Sequence, residues 1–382
     1  MVPHRGHCHI RATPRLRFPD RPIIKPLGSA RNSLTAEGTT RVILRAPAGT
    51  GTVAPVSPDP LVTDQVNWTQ YDPGRPSGHY ESFYLRGNHP DRPLAFWLRY
   101  TIFSPAGRPA DALGELWAVL FDGESGAHVT AKVEVPYAEC LFSPTSFDVR
   151  VAGAVLDRAT VRGNAGSLSW DLRYAGTESP LYLLPKGLYR GGFPKAKSLV
   201  PLPGARFAGG IDAAGRHLDI DGWRGSQNHN WGSRHTDRYA FGQVAGFDNA
   251  PDSFLEVATV RTRVGPVWTP ETTLLVLRHQ GREYALTSLR RAVRATARVG
   301  TASWTFATGD GSVRVEGRVE APASAFVVLD YPNPPGGMKY CLNTKLARCE
   351  LTLTDRASGT REVLTSAHGT LFEVLGDTRP AI

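Results

Sequence analysis

Residues 222–242 read GWRGSQNHNWGSRHTDRYAFG, and no other stretch of the 382 residues is as dense in chemistry. Gln227, Asn228, His229, Asn230, Arg234, His235 and Asp237 supply hydrogen-bond donors, acceptors and titratable imidazoles, while Trp223, Trp231, Tyr239 and Phe241 supply flat apolar walls. Alternate side chains of an extended segment share a face, so His229 and Trp231 project together. The segment reads as the wall of a binding or catalytic cavity, on a strand and turn where two β domains join.

On both sides the pattern is β. Upstream, His79–Arg86 and Pro93–Phe103 flank the turn cluster GNHPD, and Glu115–Phe121 and His128–Val135 flank DGESG. Downstream, Tyr239–Ala245 and Ser253–Val260 flank DNAPD, and short strand-like runs continue to Val374. Even spacing of this kind points to antiparallel barrels or sandwiches. Residues 286–299 carry Leu286, Leu289, Val293 and Ala297 at helical spacing and read as a helix, with a strand plus a loop as the other reading. Five prolines in 179–210 read as a break in regular structure, a crossing segment between domains. Its Tyr182, Leu183, Leu184, Tyr189 and Phe193 are apolar enough to cover an opening or an interface. The expected layout is a disordered basic extension and linker (1–63), an N-terminal β domain (64–222), a C-terminal β domain carrying the motif (223–375) and a tail (376–382).

Charge excludes one class of partner. The net +9 falls mostly in residues 1–60, where nine Lys/Arg face Asp20, Glu37 and Asp59; the remaining 322 residues carry only +3. A nearly neutral body with no basic stripe argues against nucleic acid. Cys8, Cys140, Cys341 and Cys349 form no CxxC pair and read as free thiols of a reduced, cytoplasmic protein. No apolar run reaches a membrane span and no secretory h-region is visible, so at most peripheral membrane contact is expected. No GxSxG elbow or phosphate-cradling loop occurs. His229, His235 and Asp237, with Asp221 or His217, match no familiar metal spacing, and neither metal nor cofactor is expected. Lys339, Asn343 and Lys345 alternate on a late strand and read as a solvated face, with the lining of a cavity as the other reading.

The run DGWRGSQNHNWG (221–232), followed by YAFGQ (239–243), resembles the HNWG-centred signature of the carotenoid hydratase (hydroxyneurosporene synthase) and AttH-like superfamily, and more distantly tocopherol cyclase. ESFY (81–84) followed by AFWL (95–98) is similar to that family's first hairpin. The resemblance implies two tandem lipocalin-like, calycin-type antiparallel β barrels, an all-β fold over roughly residues 64–375. It also implies that the chain hydrates or cyclises isoprenoids, assists ring closure, or binds lipids. Phe254 and Glu256 stand where the hydratases carry tyrosine and aspartate, and Ser82 replaces a tryptophan of the first hairpin.

Protonating an unactivated alkene needs a strong acid facing an apolar cavity and a shield for the resulting carbocation. Phe254, Glu256, Ala258 and Val260 share one strand face; turned inward, that face would desolvate Glu256 and keep it protonated. A hairpin centred on Asn249 and Ala250 places Gln243 opposite Glu256. The expected catalytic set is Glu256 as acid, His229 polarising it or taking up a proton, and Trp231 stabilising cationic charge. The ligand would meet Trp223, Gln227, Asn230, Tyr239, Phe241, Gln243, Phe254, Tyr84 and Trp97. The reading is an acid-catalysed hydratase, cyclase or isomerase acting on a small hydrophobic molecule in a barrel cavity. The alternative is a non-catalytic lipid or hydrophobic-metabolite carrier. In a third reading, the buried polar residues merely satisfy one another.

Overall fold

The computed structural model describes residues 64–381; the expected extension 1–63 lies outside them. The first half holds β1 (His79–Asn88), β2 (Leu94–Ser104), β3 (Leu113–Asp122), β4 (Val129–Pro136), β5 (Leu141–Phe142), β6 (Asp148–Val151), β7 (Ala154–Asp157), β8 (Thr160–Ala165), β9 (Leu168–Ala175), β10 (Leu181–Tyr182), β11 (Ala196–Ala213) and β12 (Arg216–Gly232). The second half begins with β13 (Arg238–Phe247), β14 (Ala250–Arg261), β15 (Arg263–Val264), β16 (Val267–Trp268), β17 (Thr272–His279) and β18 (Arg282–Leu286). Helix α1 (Leu289–Ala292) follows, then β19 (Thr296–Val299), β20 (Ser303–Gly309), β21 (Val313–Glu320), β22 (Val327–Pro332), β23 (Met338–Asp355) and β24 (Arg361–Gly376).

β1–β12 form one antiparallel sheet in the order β4-β3-β2-β1-β12-β11-β9-β8-β7-β6-β5, with β10 added beside β11. The second sheet runs β18-β17-β14-β13-β24-β23-β21-β20-β19, with β22 added beside β23. In each sheet the first long strand pairs with the last, and the two halves repeat one topology. Each sheet curls: β4 comes round to β8 and β9, and β17 to β20. The two concave interiors are filled by separate apolar cores, the first built on Phe83, Phe96, Tyr100, Phe207 and Trp223, the second on Leu255, Trp304, Phe306 and Phe372.

β1, β2 and β3 are buried along almost their whole length, because their inner face lines the first core and their outer face meets the second sheet. Burial on both faces is why these runs lack the polar alternation of a half-solvated strand. β4 and β9, by contrast, alternate residue by residue.

Two motif glycines are required by close approach. A Cβ on Gly225 would lie 1.7 Å from the carbonyl oxygen of Arg86, and one on Gly232 would lie 2.0 Å from that of Lys195. Only glycine lets β12 come this close to β1 and β11.

Three expectations change. The motif strand β12 belongs to the first sheet, so a boundary at 222/223 would cut one continuous strand; the chain changes sheets between Gly232 and Arg238. Much of the crossing segment is strand: β11 absorbs Pro201 and Pro203 at irregularities in its pairing with β12, where no ladder N–H is demanded of them. Residues 286–299 form the end of β18, the four-residue α1 and β19. Leu289 and Val293 are 44% and 48% exposed, so the apolar stripe of a longer helix would have had no core to face.

Candidate active site between the sheets

The outer faces of the two sheets meet in an apolar cluster where Tyr84, Trp97, Trp117 and Phe121 pack on Tyr331, Cys341, Leu346 and Leu371. A second cluster lies beside it. There Leu181, Leu183 and Val200, from a strap spanning residues 181–200, cover Phe254, Ala258, Leu274 and Val276 of the second sheet. Phe241 touches both clusters.

Within this apolar setting lies a buried polar network. Gln243 stands opposite Glu256, as the hairpin expectation required. The chain reaches that register by a turn at Asp248–Asn249 and an irregularity at Gly246, whose φ is 95°. The Gln243 side-chain oxygen accepts from Arg86 Nε at 2.9 Å and from Ser226 Oγ at 2.6 Å. Its amide nitrogen donates to Asn228 Oδ1 at 2.9 Å and reaches Glu256 Oε2 at 3.5 Å. Arg86 also donates to Asn88 Oδ1 (2.7 Å), to the Gly369 carbonyl (3.1 Å) and to the Gln243 carbonyl (3.1 Å).

Glu256 is fully buried, and its Oε1 has no hydrogen-bond partner among the described residues. Burial pushes its carboxyl up to about 8, only partly offset by Gln243 and the positive charge of Arg86. The acid is therefore protonated at neutral pH, with one carboxyl oxygen uncommitted. Burial also raises the hydroxyls of Tyr84 and Tyr189, and the charge of Glu256 adds to both.

A second charged group lies further along the interface. Lys345 donates to Asn343 Oδ1 at 2.5 Å and to Glu373 Oε1 at 3.1 Å, and its ammonium lies 5.3 Å from the centre of Trp97. Burial lowers it to about 8. Tyr239 donates to Glu373 Oε2 at 3.2 Å. Lys339, Asn343 and Lys345 are all buried, which overturns the solvated-face reading: Lys345 lies over Trp97 and Phe121 of the first sheet, and Lys339 is held by the Asp237 carbonyl and Asp377.

The repeated topology relates these groups. Tyr84 pairs with Arg99 where β1 meets β2, and Gln243 pairs with Glu256 at the corresponding place where β13 meets β14. One structural position thus carries a guanidinium in the first half and a carboxyl in the second. Arg99 donates through Nε and Nη2 to Ser82 Oγ and lies 4.4 Å from the Tyr331 ring centre. Beside it is a void of about 10 Å³, lined by Tyr80, Glu115, His235 and Tyr331, roughly enough for one water. An open groove of about 430 Å³ near Ser303, Glu320 and Arg348 lies apart from Glu256.

The expected site residues divide. Glu256, Gln243, Phe254, Phe241, Tyr239, Tyr84 and Trp97 all come to the interface. His229 does not join Glu256: it points from the opposite face of β12, Nε2 at 2.8 Å from Glu81 Oε1 and Nδ1 at 2.7 Å from the Val66 carbonyl, its ring stacked on Phe83. Burial favours the neutral form of Glu81, but the hydrogen bonds from His229 and His79, with their charges, outweigh it and draw its carboxyl down to about 2. Trp231 accompanies His229, their ring centres 4.6 Å apart, and meets Tyr189 of the strap at 6.0 Å. Gln227 exchanges hydrogen bonds with Asn67 on that same face, and Trp223 lies in the first core against Phe96. Asn230 is half-buried on the interface side of β12, with its Oδ1 unpartnered among the described residues.

The other residues considered for a metal disperse. His235 stacks on Tyr80, Asp237 binds Arg234, and His217 binds Asp212. The reading from sequence missed Arg86, Arg99, Ser226 and Glu373, and named Asn228 only as a member of the polar segment. Arg99 carried a usable signal, as the one charge in the largely apolar run LAFWLRYTIF.

Residues 199–374 match the tocopherol cyclase-like family. An uncharacterised protein of Mycobacterium tuberculosis is 24% identical over 309 residues, covering 80% of this chain and 91% of the relative. An AttH-type protein of Nitrosomonas europaea superposes with a TM-score of 0.54 at 14% identity, over 80% of this chain and 94% of that one. Kievitone hydratase of Nectria haematococca superposes with a TM-score of 0.52 at 11% identity, over 79% and 89%. The chain thus has the AttH-type fold of tandem lipocalin-like barrels, and through residues 199–374 it is similar in sequence to the tocopherol cyclase-like proteins.

Proposed function

We propose that this chain is an acid-catalysed enzyme of the hydratase, cyclase or isomerase type, acting on a small hydrophobic molecule of isoprenoid or polyketide character. The site is the interface around Glu256, not a barrel lumen, since both lumens are packed with apolar side chains. The observation that carries the reading is Glu256 itself: a fully buried carboxyl with an unpartnered oxygen, next to Phe254 and Ala258 and covered by the strap. Similarity to tocopherol cyclase-like proteins and to a fold neighbour named kievitone hydratase supports the class of reaction. The free thiols of Cys140, Cys341 and Cys349 fit a reducing, cytoplasmic compartment.

In this mechanism the strap lifts and an alkene enters over Phe254. Glu256 gives its proton to one alkene carbon, leaving a carboxylate and a carbocation at the other carbon. The Gln243 amide and the Arg86 guanidinium offset the new negative charge, while the faces of Phe241 and Phe254 offset the positive one. Attack by water completes a hydration and attack by an internal nucleophile a cyclisation; loss of a neighbouring proton completes an isomerisation. In each case the released proton returns to Glu256.

The test is incubation of the protein with an apolar extract of its host in deuterated water, followed by mass spectrometry. A product carrying carbon-bound deuterium, formed by wild type and lost with Glu256→Gln, is the expected result. Equal labelling by Glu256→Gln would rule out the acid. Recovery of bound apolar compounds unchanged by wild type would favour the carrier reading.

A further inference from the structure

We propose that one edge of this interface docks onto an anionic phospholipid bilayer. The observation is the ribbon β15–β16, which leaves the end of the strand that carries Glu256. At its tip Val264 and Val267 pair across the turn and are 70% and 65% exposed. One step down, Arg263 pairs with Trp268; below that, Arg261 pairs with Arg238 on β13. The guanidiniums of Arg238, Arg261 and Arg263 lie 4.8, 5.3 and 5.0 Å from the centre of the Trp268 ring. None of the three forms an ion pair with a carboxylate among the described residues, and like charges directly across a ladder repel. Asp237 is already taken by Arg234 and by the backbone N–H of Arg263.

The order of chemistry along the ribbon matches the depth profile of a membrane surface. Aliphatic side chains at the tip suit the acyl boundary, an indole suits the interfacial layer, and guanidiniums behind it suit the phosphates. A nucleic acid would find no use for the valines at the tip, and a flat protein partner would not need apolar, aromatic and cationic layers stacked in depth.

The strap reaches the same edge. Ser233 N–H donates to the Lys195 carbonyl, Arg234 binds Asp237, and Asp237 accepts from Arg263 N–H. This run of contacts links strap and ribbon, and the strap adds Phe193, 68% exposed, between the exposed Arg190 and Lys195. Docking along this edge would set the cover of Glu256 against the phase in which apolar molecules dissolve.

The experiment is sedimentation of the purified full chain with vesicles of phosphatidylcholine alone and of phosphatidylcholine with about one third phosphatidylglycerol. Binding to the anionic vesicles only, weakened by high salt, is expected. Val264→Asp with Val267→Asp should abolish it without altering the thermal melt, because both side chains are solvent-exposed. Replacing Arg238, Arg261 and Arg263 by alanine should weaken it about 100-fold, at roughly fivefold per arginine. Failure of wild type to bind anionic vesicles, or undiminished binding by the double aspartate variant, would overturn the proposal. Glu256→Gln should bind vesicles like wild type, so this result and the test of the acid stand or fall separately.

Discussion

Gln243 lies directly across the ladder from Glu256, yet its amide nitrogen is only 3.5 Å from Oε2, while its oxygen is held by Arg86 and Ser226. The glutamine is committed elsewhere, and Glu256 keeps its proton because nothing nearby stabilises its anion well enough to offset burial.

That proton gives Glu256 a signature in stability. Its folded pKa, about 8, lies above the ordinary 4.5, so between those values the unfolded chain loses a proton that the native state retains. The contribution is whole below pH 4.5 and lost as pH rises through about 8. Glu256→Gln removes this dependence. Denaturant melts should show the variant gaining on wild type by several kcal/mol between pH 5 and 8, at roughly 1.4 kcal/mol for each pH unit crossed.

His229 is assigned to the Glu81 and Val66 contacts, not to the acid. His229→Asn should cost about 2 kcal/mol at pH 7, as expected when buried partners lose a hydrogen bond. Glu81 has a folded pKa near 2, so its stabilisation is present above pH 4.5 and lost as pH falls through 2; the variant should flatten that acid limb. Calorimetry across pH 2–7 measures both, and a full loss of turnover with an unchanged melt would instead return His229 to the chemistry.

Lys345 and Glu373 form a buried pair, so removing one partner strands the other. Lys345→Met should destabilise the protein by about 3–5 kcal/mol, and adding Glu373→Gln should restore most of that loss. Urea melts of the two single variants and the double variant provide the measurement.

Leu183 covers Phe254 and Ala258, flanking Glu256 on the same strand face. Leu183→Ala should cost about 2 kcal/mol and admit water. The Glu256 carboxyl should then titrate closer to its ordinary range, which carbon-13 NMR of labelled glutamate can follow; an unchanged titration would show that the strap does not control the acid.

Gly225→Ala would push a methyl group into the carbonyl of Arg86. Separation of β1 from β12 should cost more than about 4 kcal/mol, seen as loss of a cooperative melt or of folded protein.

Much of this was legible in the chain. The even spacing of turn clusters gave the all-β architecture, the alternation of Phe254, Glu256 and Ala258 gave a shared face, and the DNAPD turn gave the Gln243–Glu256 pairing. Single-file patterns carry this information because strand period and turn position are local properties.

Tertiary structure decided which face looks where. His229 and Asn228 are neighbours, but one meets Glu81, 148 residues away, and the other meets Gln243. Both faces of β12 are buried at that point, so no polar stripe marks an outside, and alternation cannot say which side receives the second sheet. For the same reason Arg86 could not be read as a buried charge: its partner Gln243 comes from a strand that only the packing of two curled sheets brings to it. Lys345 bonds to Glu373 on its own sheet, but it is the first sheet, through Trp97, that shuts it off from water.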